Sequence, residues 1–109
     1  MPTSKKERLL KILKGLSAVG DIEGSAIVTR DGLLIASDLP QDLDAETFAA
    51  MSATMIGAAE TAVGELKKGT VGRVIAEGKN TKLITKGAGP LAVLVSMVRP
   101  NANLGLVLV

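Results

Sequence analysis

The stretch that most constrains the fold is the helical pattern from Asp44 to Leu66, DAETFAAMSATMIGAAETAVGEL, the longest uninterrupted one in the chain. On a 3.6-residue wheel its larger apolar side chains share one broad face, which predicts packing against a sheet. The residues of this face are Phe48, Met51, Met55, Ile56, Ala59, Ala62, Val63 and Leu66. The other side lacks the charges that a solvated surface would carry, since only Glu46, Glu60 and Glu65 follow Asp44 before Lys67.

Small residues occupy the side of this helix that carries no large apolar side chains. Side chains at a helix contact set how closely two helices approach, so a stripe of small ones predicts close packing against a second helix. The chain has few other helices to supply one, and the pattern therefore predicts dimerisation, with itself or with a paralogue. The small residues of the predicted interface are Ala50, Ala53, Thr54, Gly57, Thr61 and Gly64.

The composition limits both the core and the chemistry of the chain. Its 109 residues fit one domain, and with 47% hydrophobic but 1% aromatic residues the core must consist of Leu, Val, Ile, Ala and Met. There is no Cys, His, Trp or Tyr, which excludes disulfides, thiolate metal sites, imidazole bases and thiol nucleophiles. We therefore expect a protein that is not an enzyme and that holds no cofactor and no metal.

The charge pattern gives no strong indication of a polyanionic partner, because the formal net charge is only +2. Five basic residues do cluster near the N-terminus, at Lys5, Lys6, Arg8, Lys11 and Lys14. A solvated helix face is favoured over a membrane or nucleic-acid surface, because aromatic anchors and stacking platforms are missing. Without a signal sequence or a run of about 20 apolar residues, we expect a cytoplasmic protein with no membrane insertion and no nucleic-acid partner.

The chain in order predicts an α+β domain. Ser4 fits the cap of an amphipathic helix that ends near Ser17. Strands are predicted at 24–30, 33–37, 73–77, 81–85 and 91–98, the last being apolar throughout and therefore central in the sheet. Asp31-Gly32 predicts a hairpin with a type I′ turn, and this turn chemistry is favoured over a metal-ligating role for Asp31.

The last residues of the chain allow two interpretations. Residues 104–109 are apolar, so β-propensity favours a strand, whereas the preceding Asn residues could cap a helix. We expect one domain over residues 1–109, with a closing helix that is cut short at Val109.

Three stretches together resemble the Roadblock / dynein light chain family over essentially the whole chain. They are IEGSAIVTRDGLLIASDLP at 22–40, the helix at 44–66, and PLAVLVSMVRPNANLGLV at 90–107. The resemblance implies a five-stranded antiparallel sheet in the profilin-like order 2-1-5-4-3. It also implies that the long helix covers one face of the sheet and that the terminal helices cover the other.

The resemblance also implies a function. Family members pair through the long helix and the third strand, here residues 44–66 and 72–77, which adds Arg73, Val74 and Ile75 to the predicted dimer interface. They bind and regulate small Ras-like GTPases, or act as adaptors in motors and scaffolds. In bacterial gliding motility such homodimers accelerate GTP hydrolysis without donating an arginine. The chain is thus predicted to be a homodimeric, non-catalytic regulator or scaffold of a small Ras-like GTPase.

Two other functions compete with this prediction. One is a small-molecule sensor module of profilin-like or PAS-like shape, with its ligand in a pocket of the sheet. Against it, the apolar residues are needed to fill the core and no polar cluster marks a pocket. The other is an enzyme, which the missing catalytic residue types disfavour.

Overall fold

The computed structural model describes residues 4–18 and 20–100, and these form two helices and five strands. The predicted strand or closing helix at 104–109 lies outside the described residues. The elements in chain order are α1 (Lys5–Ser17), β1 (Ile22–Thr29), β2 (Leu34–Asp38), α2 (Ala45–Glu65), β3 (Arg73–Glu77), β4 (Lys82–Gly87) and β5 (Ala92–Val98).

The five strands form one antiparallel sheet in the order β2-β1-β5-β4-β3. This confirms both the α+β class and the strand order that the family resemblance implies. The most apolar strand, β5, is the central one, and its Val93 and Val95 are fully buried. A strand covered on both faces must be apolar on both, which is why its sequence shows no alternation.

Each face of the sheet packs against one helix. On one face Ala26, Val28, Val93 and Val95 pack with α2 residues Ala49, Ala53 and Ile56. On the other face, Leu13 of α1 is fully buried beside Ile27 and Ala36. The domain is therefore a three-layer arrangement, helix on sheet on helix.

Local side-chain contacts explain where both helices begin. Ser4 Oγ accepts a hydrogen bond from the backbone N–H of Glu7, as the capping pattern predicts. Asp44 caps α2 in the same way, accepting bonds from Thr47 N at 3.1 Å and from Thr47 Oγ1 at 2.8 Å. These bonds from Thr47, the backbone one first, lower the pKa of Asp44. Because the folded-state pKa is lowered, the contribution of this cap is present at neutral pH and is lost on acidification through that pKa.

The β1–β2 hairpin does not have the predicted type I′ turn. A three-residue loop, Arg30-Asp31-Gly32, joins Thr29 to Leu33, and only Gly32 has a positive φ, +93°. Gly32 N donates to Thr29 O, and Leu33 N donates to Thr29 Oγ1. Such a loop needs one glycine in the left-handed region instead of two permissive residues. The Asp-Gly pair indicated the hairpin correctly but not its loop length.

The orientation of α2 differs from the prediction. Its buried residues are Ala49, Ser52, Ala53 and Ile56, spaced i, i+3, i+4 and i+7. The assignment of Ala53 to the outward side is therefore wrong, since this residue is only 6% exposed and belongs to the core. Met51 and Leu66 were predicted to face the sheet but are 60% and 65% exposed. Short side chains face the sheet because they let the helix axis approach it closely.

One buried side-chain hydroxyl, that of Ser25, is left without a hydrogen bond within the described part of the chain. Ser25 on β1 is fully buried between Asp38 of β2 and Ser96 of β5, its Cα partners in the sheet. Among the described residues, its hydroxyl has no hydrogen-bond partner. Desolvation of an unpaired hydroxyl costs free energy that no contact returns.

We therefore expect Ser25→Ala to leave the free energy of unfolding unchanged or to raise it by up to about 1 kcal/mol. The matched control is Ser17→Ala, which removes the bond from Ser17 Oγ to Asp38 Oδ2 (2.9 Å) and should lower stability by about 1 kcal/mol. Urea unfolding at one fixed protein concentration measures both. A loss of more than about 1 kcal/mol in Ser25→Ala would show that this hydroxyl is satisfied after all.

Candidate interaction surface on the long helix

The outward side of α2 carries a continuous apolar stripe, here called the outer stripe. It is formed by Met51, Met55, Ala58, Ala62 and Leu66, spaced by four or three residues so that all lie on one line of the helix. Met55 is half-buried and the others are exposed or partly exposed. At 1.5 Å per residue the stripe is about 22 Å long. Glu65 beside it is the only charge on this side of the helix between Glu46 and Lys67 that carries no ion pair.

Five of the six predicted small residues line a shallow hollow beside the outer stripe, here called the side hollow. Its volume is about 630 Å³, and Arg30 and Asp31 of the β1–β2 loop form its other wall. The five are Ala50, Ala53, Thr54, Gly57 and Thr61. The sixth, Gly64, is exposed farther along the helix. Most of the predicted small residues thus lie together, next to Ala58 and Ala62 of the outer stripe, which line the same hollow.

The two threonines of the side hollow are satisfied within the helix. Thr54 Oγ1 donates to Ala50 O at 2.9 Å, and Thr61 Oγ1 donates to Gly57 O at 3.0 Å. Hydroxyls bonded to the carbonyl four residues earlier do not need an outside partner. This surface can therefore be covered by another molecule without leaving an unpaired hydroxyl.

Packing within the chain accounts for the small side chain of Ala50, but not for the glycines at positions 57 and 64. A Cβ at Gly32 would lie 3.1 Å from Ala50 Cα, so the β1–β2 loop approaches the helix backbone closely at this point. By contrast, a Cβ at Gly57 or Gly64 would meet no atom within 4 Å. Packing within the described chain therefore does not require glycine at either position.

An ion pair joins the β1–β2 loop to the middle of α2. Arg30 Nη1 donates to both carboxylate oxygens of Glu60, at 2.6 and 2.8 Å, and both side chains are about one-third exposed. Arg30 Nη2 also lies 3.5 Å from Gly89 O in the β4–β5 turn. A Cβ at Gly87 would come within 2.8 Å of Nη2, so glycine leaves room for the guanidinium. Arg30 thereby links α2 to two turns at one end of the sheet.

Sequence reasoning did not find this ion pair, because its partners are 30 residues apart. The available signal was Glu60 itself, the one charged residue of α2 that is away from the helix ends, where Glu46 and Glu65 lie. Spacing rules within a helix reach only three or four residues, so they do not identify a partner in a distant loop.

The predicted strand contribution to the interface lies at an edge of the sheet. β3 is the last strand in the order, and within residues 4–18 and 20–100 no strand pairs with its outer side. Arg73 is exposed, whereas Val74 and Ile75 are half-buried and pack against the two opposite faces of the core. Their backbone groups, more than their side chains, are therefore what β3 offers to a partner.

The surface contains no grouping suited to metal binding. Within the described residues, no three acidic side chains are close enough to share a metal ion. In the same part of the chain, no helix is both long and apolar enough to cross a membrane. What α2 and β3 present is apolar area and an unpaired strand edge, both of which are suited to protein–protein contact.

The protein-family model of the Roadblock/LC7 domain matches residues 9–96 of the amino-acid sequence. The chain belongs to the Roadblock/LC7 family. The match spans both helices and all five strands apart from their outermost residues, which agrees with the architecture described above.

Relatives of this Roadblock/LC7 domain include an archaeal protein and bacterial structures. Uncharacterized protein MJ0310 of Methanocaldococcus jannaschii is 38% identical over 97 residues, which cover 89% of this chain and 84% of the relative. MglB of Myxococcus xanthus has a TM-score of 0.87 at 21% identity, covering 98% of this chain and 81% of that one. The gliding protein MglB of Thermus thermophilus has a TM-score of 0.85 at 21% identity, with 98% and 82% covered. At 21% identity, the structural similarity to the two MglB proteins shows that the fold is shared.

We predict that the direct interaction between Arg30 and Glu60 stabilises the folded domain. Arg30→Met and Glu60→Gln should each lower the free energy of unfolding by about 1 kcal/mol, and the double variant by less than their sum. A double-mutant cycle in urea at fixed protein concentration measures the coupling, which we expect at about 0.5–1 kcal/mol. Strictly additive effects would mean that the pair contributes nothing and that Arg30 acts by packing alone.

Proposed function

We propose that this Roadblock/LC7 domain is a homodimeric, non-catalytic regulator or scaffold that binds a small Ras-like GTPase in the cytoplasm. The observation that carries the proposal is the outer stripe, a line of exposed apolar side chains on a helix almost without free charge. Contiguous exposed apolar surface on a soluble domain is typical of a protein interaction site. In this family the long helix is the element through which members pair.

The outer stripe is suited to a two-fold contact between identical helices. Its central residue is Ala58, and Met51 and Leu66 lie at its two ends. When two such helices pack antiparallel across a two-fold axis, small central residues meet each other and the large end residues cover the partner's flanks.

The free edge of β3 supports an extension of the sheet across the same dimer. Val74 packs against the cluster that α2 covers, so the edge strand lies close to the helix that would meet the partner. Pairing of two β3 edges would satisfy backbone groups that are otherwise left to solvent. The interface would then combine the outer stripe with the backbone of Arg73, Val74 and Ile75.

A Ras-like GTPase as partner rests on family membership together with the character of this surface. Membership of the Roadblock/LC7 family implies binding to such GTPases, as the resemblance does, and the fold is shared with the gliding protein MglB. The surface formed by α2 offers shape and apolar contact, and its arginine, Arg30, is held by Glu60. A regulator of this kind would act by positioning groups of the GTPase itself.

If the proposed dimer forms, a single added charge on the outer stripe should weaken it. Ala58→Glu places a carboxylate at the centre of the outer stripe, and symmetry places two there, so the dimer dissociation constant should rise about a hundredfold or more. Sedimentation equilibrium at micromolar concentration should give twice 11.2 kDa for the parent chain and 11.2 kDa for the variant.

Gly15→Glu is the matched control, because it adds the same charge to an exposed site on α1, where a Cβ meets no atom within 4 Å. It should remain dimeric. A monomeric parent chain, or an Ala58→Glu variant that dimerises as well as Gly15→Glu, would remove this interface.

The GTPase partner is tested directly with the Ras-like GTPases encoded in the same genome. We expect the parent chain to bind at least one of them in either the GDP or the GTP-analogue state, as measured by biolayer interferometry. Alone, the chain should release no phosphate from GTP. Absence of binding to every such GTPase in both nucleotide states would contradict the regulatory function, even if the dimer itself is found.

A further inference from the structure

A second apolar concavity lies on the side of the sheet opposite α2, between α1 and the β4–β5 turn. This α1 cleft has a volume of about 540 Å³. Its floor is formed by Ile27, Ile35 and Ala92, and Leu9 of α1 forms one wall. The volume is in the range of ordinary binding pockets, which is about 300–1,000 Å³.

The outer wall of the α1 cleft is unusually apolar for an exposed turn. Pro90 and Leu91 form it, and Leu91 is 79% exposed. Leu33, which is 68% exposed, lies in the adjacent β1–β2 hairpin, whose Arg30 N donates to Leu91 O at 3.1 Å. Two large leucines are therefore exposed at the same end of the sheet, which is a patch typical of an interaction site.

Positive charge lies beside the α1 cleft. Lys5 lines it, and Arg8, three residues later, lies on the same flank of α1. Lys86 on β4 is in register with Leu94, whose side chain belongs to the cluster under α1, so Lys86 is on the α1 side of the sheet. Arg73 is in register with Lys86 and continues this row.

These four cations are not neutralised within the described chain. None of Lys5, Arg8, Lys86 and Arg73 forms an ion pair among residues 4–18 and 20–100. The one acidic residue of α1, Glu7, is on the other flank of the helix, beside Lys11 and Lys14. This flank of α1 therefore combines an apolar floor with nearby charges of one sign, of which Lys5 lines the cleft itself.

We propose that the α1 cleft binds an acidic amphipathic helix of a partner protein. Its apolar residues would enter the cleft at i, i+3, i+4 and i+7 spacing, and its flanking carboxylates would face Lys5 and Arg8 on one side and Lys86 on the other. The cations are spread over α1 and the β3–β4 pair, which suits several carboxylates along a peptide better than one headgroup. Charges of this kind mainly govern selectivity and association rate.

This site does not depend on the proposed GTPase binding, and it shares only Arg73, at the end of its row of cations, with the proposed dimer interface. The sheet separates the α1 cleft from the outer stripe, so occupancy of one does not obstruct the other. A domain with both surfaces occupied would hold two different proteins on opposite sides of one sheet. The proposal stands or falls without reference to any GTPase.

The test uses the full ¹⁵N-labelled chain and a synthetic peptide of about fifteen residues, long enough to form a helix on binding. The peptide carries leucines along one helical stripe and glutamates beside it, and a matched peptide carries lysines in place of the glutamates. Only the acidic peptide should give saturable chemical-shift changes, and these should include the amides of Thr29, Ile35 and Leu91.

Charge reversal distinguishes this cleft from general attraction to a basic helix. The pair Lys5→Glu with Lys86→Glu should weaken binding of the acidic peptide about tenfold. The control pair Lys11→Glu with Lys14→Glu makes the same change in net charge, mostly on the other flank of α1, and should leave the affinity within about twofold. Circular dichroism melts establish that all variants are folded.

Several results would overturn the proposal. They are no saturable shift with the acidic peptide, equal binding of the lysine peptide, shifts confined to α2, or equal weakening by both pairs of reversals. Two further results would assign the cleft to a different ligand. One is tighter binding of dodecanoate than of the peptide at the same amides. The other is Lys5- and Lys86-dependent binding of phosphatidylglycerol vesicles by a chain that does not bind the peptide.

Discussion

The close contact between α2 and the sheet is the feature on which the rest of this domain depends. Ala49 and Ala53 let the helix axis approach β1 and β5, and Ile56 fills the space beside them. Because aromatic residues make up only 1% of the chain, this core is filled mainly by small and aliphatic side chains at short distances. Gly32 brings the hairpin loop against Ala50 in the same way.

The contact between α2 and the sheet also determines which side of the helix stays exposed. A helix that is apolar nearly all round can bury only one side against a single sheet, and the other side remains as the outer stripe. The Arg30–Glu60 pair neutralises the one charge in the middle of the helix and links α2 to two turns. In the proposed dimer, a second copy would cover this side, which residues 4–18 and 20–100 leave exposed.

The sequence predicted the elements better than it predicted their orientation. Capping residues, the Asp-Gly pair and the change of period after Gly72 placed the helices and strands, and the family resemblance supplied their order. The side of α2 that faces the sheet was predicted from side-chain size, and this failed at Ala53 and Met51 because a tight contact selects small residues. The Arg30–Glu60 pair was out of reach, because no local pattern joins a hairpin loop to a helix 30 residues away.

The central claim is that a second copy covers the outer stripe, and its most direct test uses the methionines. The chain has only four, of which Met51 and Met55 lie on the stripe and Met97 lies in the central strand. In an isotope-filtered NOE experiment on mixed labelled and unlabelled chains, the Met51 and Met55 methyls should show intermolecular contacts to alanine methyls, and Met97 should show none. Intermolecular contacts that are absent from both stripe methionines at concentrations where the chain sediments as a dimer would contradict the account.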